Sequence, residues 1–140
     1  LDKMVAERSL QSVVSFVDHE MDMPAAYMLA DVVVSASTDP EAFGRVTAEA
    51  QAMGRLVVAT DHGGSRETVV PGETGWLSAP GDAEDLADVL RNALNLSVED
   101  REIIAEKARS RAHAQFSKTA MCAATLDTYR SLLADQRSLR

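Results

Sequence analysis

The sequence predicts an α/β fold in which a parallel, Rossmann-like sheet is flanked by helices. Three observations predict it. Over the first 80 residues, short valine-rich runs alternate with helix-like segments, and this alternation is typical of parallel βαβ units. The runs are almost wholly apolar, as strands covered on both faces are. From residue 82 onward only helical periodicity remains, so the later helices should pack against the sheet.

Composition sets the limits on the class of protein. The 140 residues are 46% hydrophobic, enough for the core of one compact unit. The net charge of −8 argues against general nucleic-acid binding, which needs a basic surface. The only cysteine, Cys122, excludes an internal disulfide framework. No apolar run approaches the ~18 residues that a membrane-spanning helix needs.

Short runs rich in β-branched residues mark the strands. They predict strands over residues 13–17, 32–34, 56–59 and 76–78. Helices are predicted at residues 22–30, 44–53 and 65–69, and three more begin after the capping residues Asp82, Ser97 and Ser117. The first ten residues are interpreted as the tail of a helix.

Two loops stand at the places where parallel sheets bind ligands, beyond the carboxyl ends of the strands. One follows the strand at residues 32–34 and is acidic, with proline and glycine. The other follows the strand at residues 56–59. The candidate cleft residues in it are Asp61, His62, Gly63 and Gly64.

The first of these loops contains a carboxylate, Glu41, followed by Gly44 and the start of a helix, with a second carboxylate, Glu49, eight residues after the first. A helix N-terminus offers unpaired N–H groups and attracts phosphate. Eight residues at helical rise span roughly 12 Å, about the distance from a sugar across a pyrophosphate to a ribose. Two carboxylates so placed could accept hydrogen bonds from hydroxyls at both ends of a nucleotide-sugar.

This Glu-x7-Glu pattern, in its surroundings, resembles the retaining GT-B glycosyltransferases of the family 4 type, also called group 1. The surroundings that agree are residues 27–35, 54–61, 63–67 and 72–77. The resemblance extends from about residue 13 to residue 133. The spacing alone would be a weak signal, because glutamate is common, but in this ordered context it is specific.

The resemblance implies roles for individual residues. Glu41 corresponds to the motif glutamate that contacts the donor sugar and is called catalytic, and Glu49 to the one that holds the ribose. The residues that correspond to donor sugar and phosphate contacts are Phe43, Gly44, Arg45, Val46 and Thr47. No metal or other cofactor is implied, because in this family basic side chains and the helix dipole hold the phosphates.

Simpler interpretations of the same residues remain open. Glu41 could cap a helix, Glu49 could be an exposed helix glutamate, and Phe43 could fill the core. The paired glycines Gly63 and Gly64 could only shape a turn.

The resemblance also predicts the organisation of the chain. Residues 1–140 would be part of a C-terminal nucleotide-sugar-binding domain, with the C-terminal helix at about 117–140. In the family's strand order 3-2-1-4-5-6, residues 13–17 would be strand 3 and residues 32–35 strand 4. The first two strands and the N-terminal acceptor domain would lie outside this sequence, which begins with leucine. We therefore expect an open sheet edge, self-association or pairing with the missing segment.

The predicted function is transfer of a hexose from a nucleotide-diphosphate sugar to an acceptor, with retention, by the parent protein. The isolated piece is expected to be inactive. The expected location is cytoplasmic, and the resemblance allows peripheral membrane attachment through the parent protein. Two alternatives are a sugar-nucleotide epimerase of the GT-B fold and a non-catalytic interaction module.

Overall fold

The computed structural model describes the backbone of residues 1–138 and the side chains as far as residue 134. Within that range the chain forms a three-stranded sheet with helices around it. In chain order the elements are α1 (Asp2–Glu7), α2 (Met23–Leu29), β1 (Val32–Ser35), α3 (Arg45–Ala52), β2 (Leu56–Thr60), α4 (Ser65–Thr68), β3 (Trp76–Ser78), α5 (Ala83–Leu94), α6 (Val98–Phe116) and α7 (Lys118–Ser138).

The sheet is parallel throughout and its strand order is β1-β2-β3. Val32 pairs with Leu56 and Val58 pairs with Trp76, which fixes the register of the two ladders. All five residues of the central strand β2 are buried, as expected for a strand covered on both faces. The predicted α/β fold with a parallel sheet and flanking helices is confirmed.

The core is built from small and medium side chains around the central strand. Its buried cluster contains Tyr27 of α2, Ala50 of α3, Val57 and Ala59 of β2, and Val69. Because only 4% of the residues are aromatic, the core is filled mainly by aliphatic side chains. The cluster joins α2 and α3 to the sheet, and these two helices carry the candidate site.

The predicted helix starts are confirmed by their caps. The carboxylate of Asp22 accepts from the Ala25 N–H at 3.1 Å, and that of Asp82 accepts from two N–H groups of α5 at 3.0 Å. The Ser97 hydroxyl accepts from the Asp100 N–H at 3.0 Å. Each cap satisfies a backbone donor that the helix itself leaves unpaired.

The strand predicted at residues 13–17 is wrong. The N–H groups of Val13 and Val14 instead donate to the Leu10 carbonyl, which closes a turn. The side chains of Val13 and Val17 are 74% and 82% exposed. A β-branched run forms a strand only where a neighbouring strand takes up its backbone hydrogen bonds, and among the described residues β1 pairs with β2 alone.

The last helix, α7, begins at Lys118 and is described to Ser138. Residues 139 and 140 of the helix predicted at 117–140 lie outside the described residues. Several of its large apolar side chains are more than half exposed, namely Met121, Leu126, Tyr129, Leu132 and Leu133. Among the helices described here, none is both long and apolar enough to cross a membrane.

Candidate functional site

The helix α3 begins at a glycine in the left-handed conformation. Gly44 is its N-cap residue, with φ 81° and ψ 60°, and no side chain caps the helix. A Cβ at this position would lie 2.9 Å from the Thr47 Oγ1, so both the backbone angle and the space favour glycine. The N–H groups of the first turn lie at the positive end of the helix dipole, and no capping side chain covers them.

The carboxylate of Glu41 lies between the end of β1 and the start of α3. Its Oε1 accepts a hydrogen bond from the Ser35 Oγ at 3.3 Å, and the side chain is half-buried. A Cβ built on Gly44 would be 3.7 Å from Glu41 Oε2, which places the carboxylate beside the helix start. Because Glu41 makes no capping hydrogen bond to α3, the simpler interpretation as a capping acid fails.

The second carboxylate, Glu49, is held from two sides. The Tyr27 hydroxyl donates to its Oε2 at 3.0 Å. The Arg45 guanidinium donates to its Oε1 through Nη2 at 2.8 Å and Nε at 3.1 Å. Burial, and then the hydrogen bond to Glu49 and its charge, raise the pKa of Tyr27 to about 12. Glu49 is thus more than an exposed helix glutamate, because a buried phenol fixes one of its oxygens.

Thr47, which the resemblance aligns with a contact to the donor sugar and phosphate, is enclosed in the structure. The residue is fully buried, and its hydroxyl lies 2.7 Å from both the Gly44 carbonyl oxygen and the Thr68 hydroxyl. Because the Thr47 hydroxyl is buried and engaged in these two hydrogen bonds, it cannot contact a ligand. The backbone amide of Thr47 is buried with it, so the exposed residues whose N–H groups the first turn of α3 can offer to a phosphate are Arg45 and Val46.

The paired glycines pack against the loop of residues 36–44, which joins β1 to α3 and is called the site loop below. A Cβ on Gly63 would lie 2.5 Å from the Glu41 carbonyl oxygen, and one on Gly64 would lie 2.3 Å from the Phe43 carbonyl carbon. The Gly64 N–H donates to the Glu41 carbonyl at 2.7 Å. These two glycines therefore hold the site loop in place through close backbone packing. Neither of the two sequence interpretations, a cleft residue or a residue that shapes a turn, describes this role.

The other two candidate cleft residues are engaged within the protein. The Asp61 carboxylate accepts from Arg66 Nε at 2.8 Å. The Nε2 of His62 lies 2.9 Å from the Ser37 carbonyl oxygen, so the ring fastens the loop that follows β1. Both residues are half-buried at the carboxyl end of β2, as the sequence predicted.

Phe43 connects the site loop to α6. Its side chain is 41% exposed, so it is not a core residue, and its ring meets Phe116 edge to face with centroids 5.4 Å apart. The Arg111 guanidinium lies 5.2 Å from the Phe116 ring centroid and donates to the Glu67 carbonyl at 2.7 Å. Sequence reasoning missed Phe116 and Tyr27, because no local spacing relates either residue to the Glu-x7-Glu pair.

Two clefts meet at the ion pair between Arg45 and Glu49. One, of about 390 Å³, lies between α3 and the end of α6 and is lined also by Phe43 and Phe116. The other, of about 420 Å³, lies between α3 and α2 and is lined also by Tyr27. Val46, which is 36% exposed, lies in the same first turn of α3. In the described part of the chain, the His, Cys, Asp and Glu side chains form no cluster that could hold a metal ion.

The fold is that of GT-B glycosyltransferases. The chain superimposes on a glycosyltransferase from Rickettsia africae with a TM-score of 0.88 and 34% identity, covering 94% of this chain and 35% of that one. It superimposes on HepE of Anabaena, solved in complex with UDP-glucose, with a TM-score of 0.85 and 30% identity, covering 93% of this chain and 35% of that one. The sequence profile "Glycosyl transferases group 1" matches residues 1–111, and the chain belongs to this family.

Curated relatives agree with this membership. The D-inositol 3-phosphate glycosyltransferase of Saccharomonospora viridis is 37% identical over 134 residues, 94% of this chain and 30% of that protein. The alpha-1,3/1,6-mannosyltransferase alg-2 of Neurospora crassa is 40% identical over 82 residues, 58% of this chain and 17% of that protein. The chain thus spans less than a third of the length of these two relatives.

Proposed function

We propose that this chain is the donor-binding part of a retaining glycosyltransferase of the family 4 type that uses a nucleotide-diphosphate sugar. The observation that carries the proposal is the arrangement around α3. An N-terminus without a capping side chain lies beside the Glu41 carboxylate, and Glu49 is held about one turn further along by Tyr27 and Arg45. The solved complex of Anabaena HepE with UDP-glucose supports a nucleotide-sugar donor for this chain also.

The donor is proposed to lie along the first turns of α3. Its diphosphate accepts from the backbone N–H groups of Arg45 and Val46, where the helix dipole favours negative charge. The ribose hydroxyls donate to the Glu49 carboxylate, and a hydroxyl of the donor sugar donates to Glu41. In this order Glu41 lies in the loop before α3 and Glu49 within the helix, on either side of its N-terminus.

The proposed chemistry is displacement at the anomeric carbon on the face that the leaving group occupies. The bond from the anomeric carbon to the diphosphate oxygen breaks and the diphosphate leaves with the electron pair. The acceptor hydroxyl oxygen forms the new bond to the anomeric carbon, and its proton passes to the departing diphosphate oxygen. The N–H groups of α3 stabilise the charge that develops on the diphosphate. The Glu41 carboxylate, beside the sugar, stabilises positive charge on the anomeric carbon.

The remaining partners belong to the same proposal. Phosphate binding is assigned to backbone amides and to basic side chains, without a metal ion. The acceptor is assigned to an N-terminal domain of the complete protein, and the membrane surface and self-association stay predictions. The relatives described above are glycosyltransferases, so neither an epimerase nor a non-catalytic module is favoured.

The test uses the complete protein that carries this chain. A nucleotide-sugar is supplied with an acceptor, and the anomeric configuration of the product is followed by NMR. We expect retention, and we expect Glu41→Gln to lower kcat by on the order of 10²-fold, as loss of a group that stabilises transition-state charge does. The matched control is Glu73→Gln, an exposed turn residue, which should turn over as the wild type does. Inversion, or full turnover by Glu41→Gln, would contradict the proposal.

A further inference from the structure

Tyr27 combines burial with a polar contact to the site. The residue is 5% exposed and packs in the core cluster with Ala50 and Val57. Its hydroxyl nevertheless reaches out of the core and donates to Glu49 Oε2 at 3.0 Å. The phenol therefore ties a carboxylate on the cleft wall to the most rigid part of the molecule.

We propose that Tyr27 is a positioning residue of the donor site, which orients the Glu49 carboxylate so that it accepts both ribose hydroxyls of the nucleotide. The inference rests on the proposed function, since it assigns Tyr27 a role in ribose recognition at that same site. Tyr27 does not touch the nucleotide. It acts through Glu49.

The two partners of Glu49 are not equivalent. The Arg45 side chain is 84% exposed, and an exposed ion pair of this kind contributes little free energy because water screens it. Tyr27 is locked by packing on its ring, so its hydroxyl has a fixed position relative to α3. The Tyr27 hydroxyl therefore determines the orientation of the Glu49 carboxylate, and the Arg45 guanidinium adapts to that orientation.

The Glu49 carboxylate keeps enough free lone pairs to accept hydrogen bonds from the ribose hydroxyls. Each carboxylate oxygen has two lone-pair directions, and Tyr27 takes one on Oε2, so a free direction remains on that oxygen. Displacement of the exposed Arg45 side chain frees Oε1 as well. A phenol carries its proton at physiological pH, and the raised pKa of Tyr27, about 12, extends this to alkaline pH, so the hydroxyl acts as the donor.

The experiment measures binding of a nucleoside diphosphate and of its 2′,3′-dideoxy analogue to the complete protein by calorimetry. The base is the one among UDP, GDP and ADP that binds the wild type most tightly. The variant Tyr27→Phe removes the hydroxyl and keeps the ring that packs in the core. The matched control is Tyr129→Phe, the only other tyrosine, which is 62% exposed on α7.

We expect Tyr27→Phe to raise the Kd of the ribonucleotide about fivefold to tenfold, the size of one ordinary hydrogen bond, because the effect is transmitted through Glu49, and to leave the Kd of the dideoxy analogue unchanged. Tyr129→Phe should change neither. In a double-mutant cycle with Glu49→Gln, the two losses should not add, because Tyr27 acts only through that carboxylate.

An equal loss for both nucleotides would make Tyr27 a merely structural residue and overturn the inference, as would additive losses in the cycle. Unchanged ribonucleotide binding would overturn it too. These outcomes leave the proposed function standing, provided that the wild type binds. Failure of the wild type to bind any of the three nucleotides would overturn the proposed function and this inference together.

Discussion

The paired glycines give a sharp test of how the site loop is held. Gly64 has φ −63° and ψ −17°, angles that alanine adopts without strain, so Gly64→Ala changes only the space around the residue. The added Cβ would lie 2.3 Å from the carbonyl carbon of Phe43 and 2.4 Å from its Cα and oxygen. Ordinary contact begins at 3.4 Å, so the backbone at Phe43 must retreat by roughly 1 Å.

This displacement has two consequences. Overpacking against backbone costs about 1–3 kcal/mol of unfolding free energy, and the hydrogen bond from the Gly64 N–H to the Glu41 carbonyl is stretched as well. The shift falls on the loop that carries Glu41 to the start of α3. A misplacement of ~1 Å at a reacting group can cost ~10²-fold in rate, so we expect kcat to fall by about that factor.

The assay pairs urea denaturation of the chain with turnover by the complete protein. The control is Gly72→Ala, where φ is +77° and a Cβ would meet nothing within 4 Å. That change should cost about 1–2 kcal/mol from the left-handed backbone alone and leave kcat unchanged. If Gly64→Ala kept both the stability and the turnover of the wild type, the reasoning from packing behind the loop would be refuted.

Two further predictions concern the aromatic residues that sequence reasoning missed. Phe116→Ala removes the edge-to-face contact with Phe43, and we expect urea denaturation to show that the unfolding free energy falls by about 2 kcal/mol. The control is Phe16→Ala at an exposed position, which should change the unfolding free energy by no more than about 0.5 kcal/mol. Equal effects of the two substitutions would contradict the assigned contact. The pKa of Tyr27, raised from 10.0 to about 12 in the folded chain, contributes stability that is complete below pH 10 and is lost as the pH rises to about 12. Tyr27→Phe lacks this contribution, so its unfolding free energy should fall less between those pH values, and parallel curves would speak against the raised pKa.

The elements that sequence reasoning predicted correctly are those with local signals. The valine run of β1 and the apolar run of β2 are short and β-branched, and they pair as parallel strands. Helix starts followed from the capping side chains of Asp82 and Ser97, whose hydrogen bonds span only two or three residues. The loop after β1 was found because carboxyl ends of parallel strands share one edge.

The elements that were missed depend on contacts that are distant in sequence. Residues 13–17 have the composition of a strand, but composition does not show whether a neighbouring strand is available to pair with it. The hydrogen bond between the Thr47 and Thr68 hydroxyls spans 21 residues, and no local spacing predicts it. The contact of Tyr27 with Glu49 spans 22 residues and likewise leaves no periodic trace.

The central claim is that the start of α3 and its two glutamates bind a nucleotide-sugar. A crystal structure of the complete protein with its nucleotide-sugar donor measures this directly, through the distances from the ligand to the protein. We predict that the diphosphate oxygens lie within hydrogen-bond distance of the N–H groups of Arg45 and Val46, with the ribose hydroxyls on the Glu49 carboxylate. A donor whose diphosphate lies away from α3, with no ribose contact to Glu49, would contradict the claim.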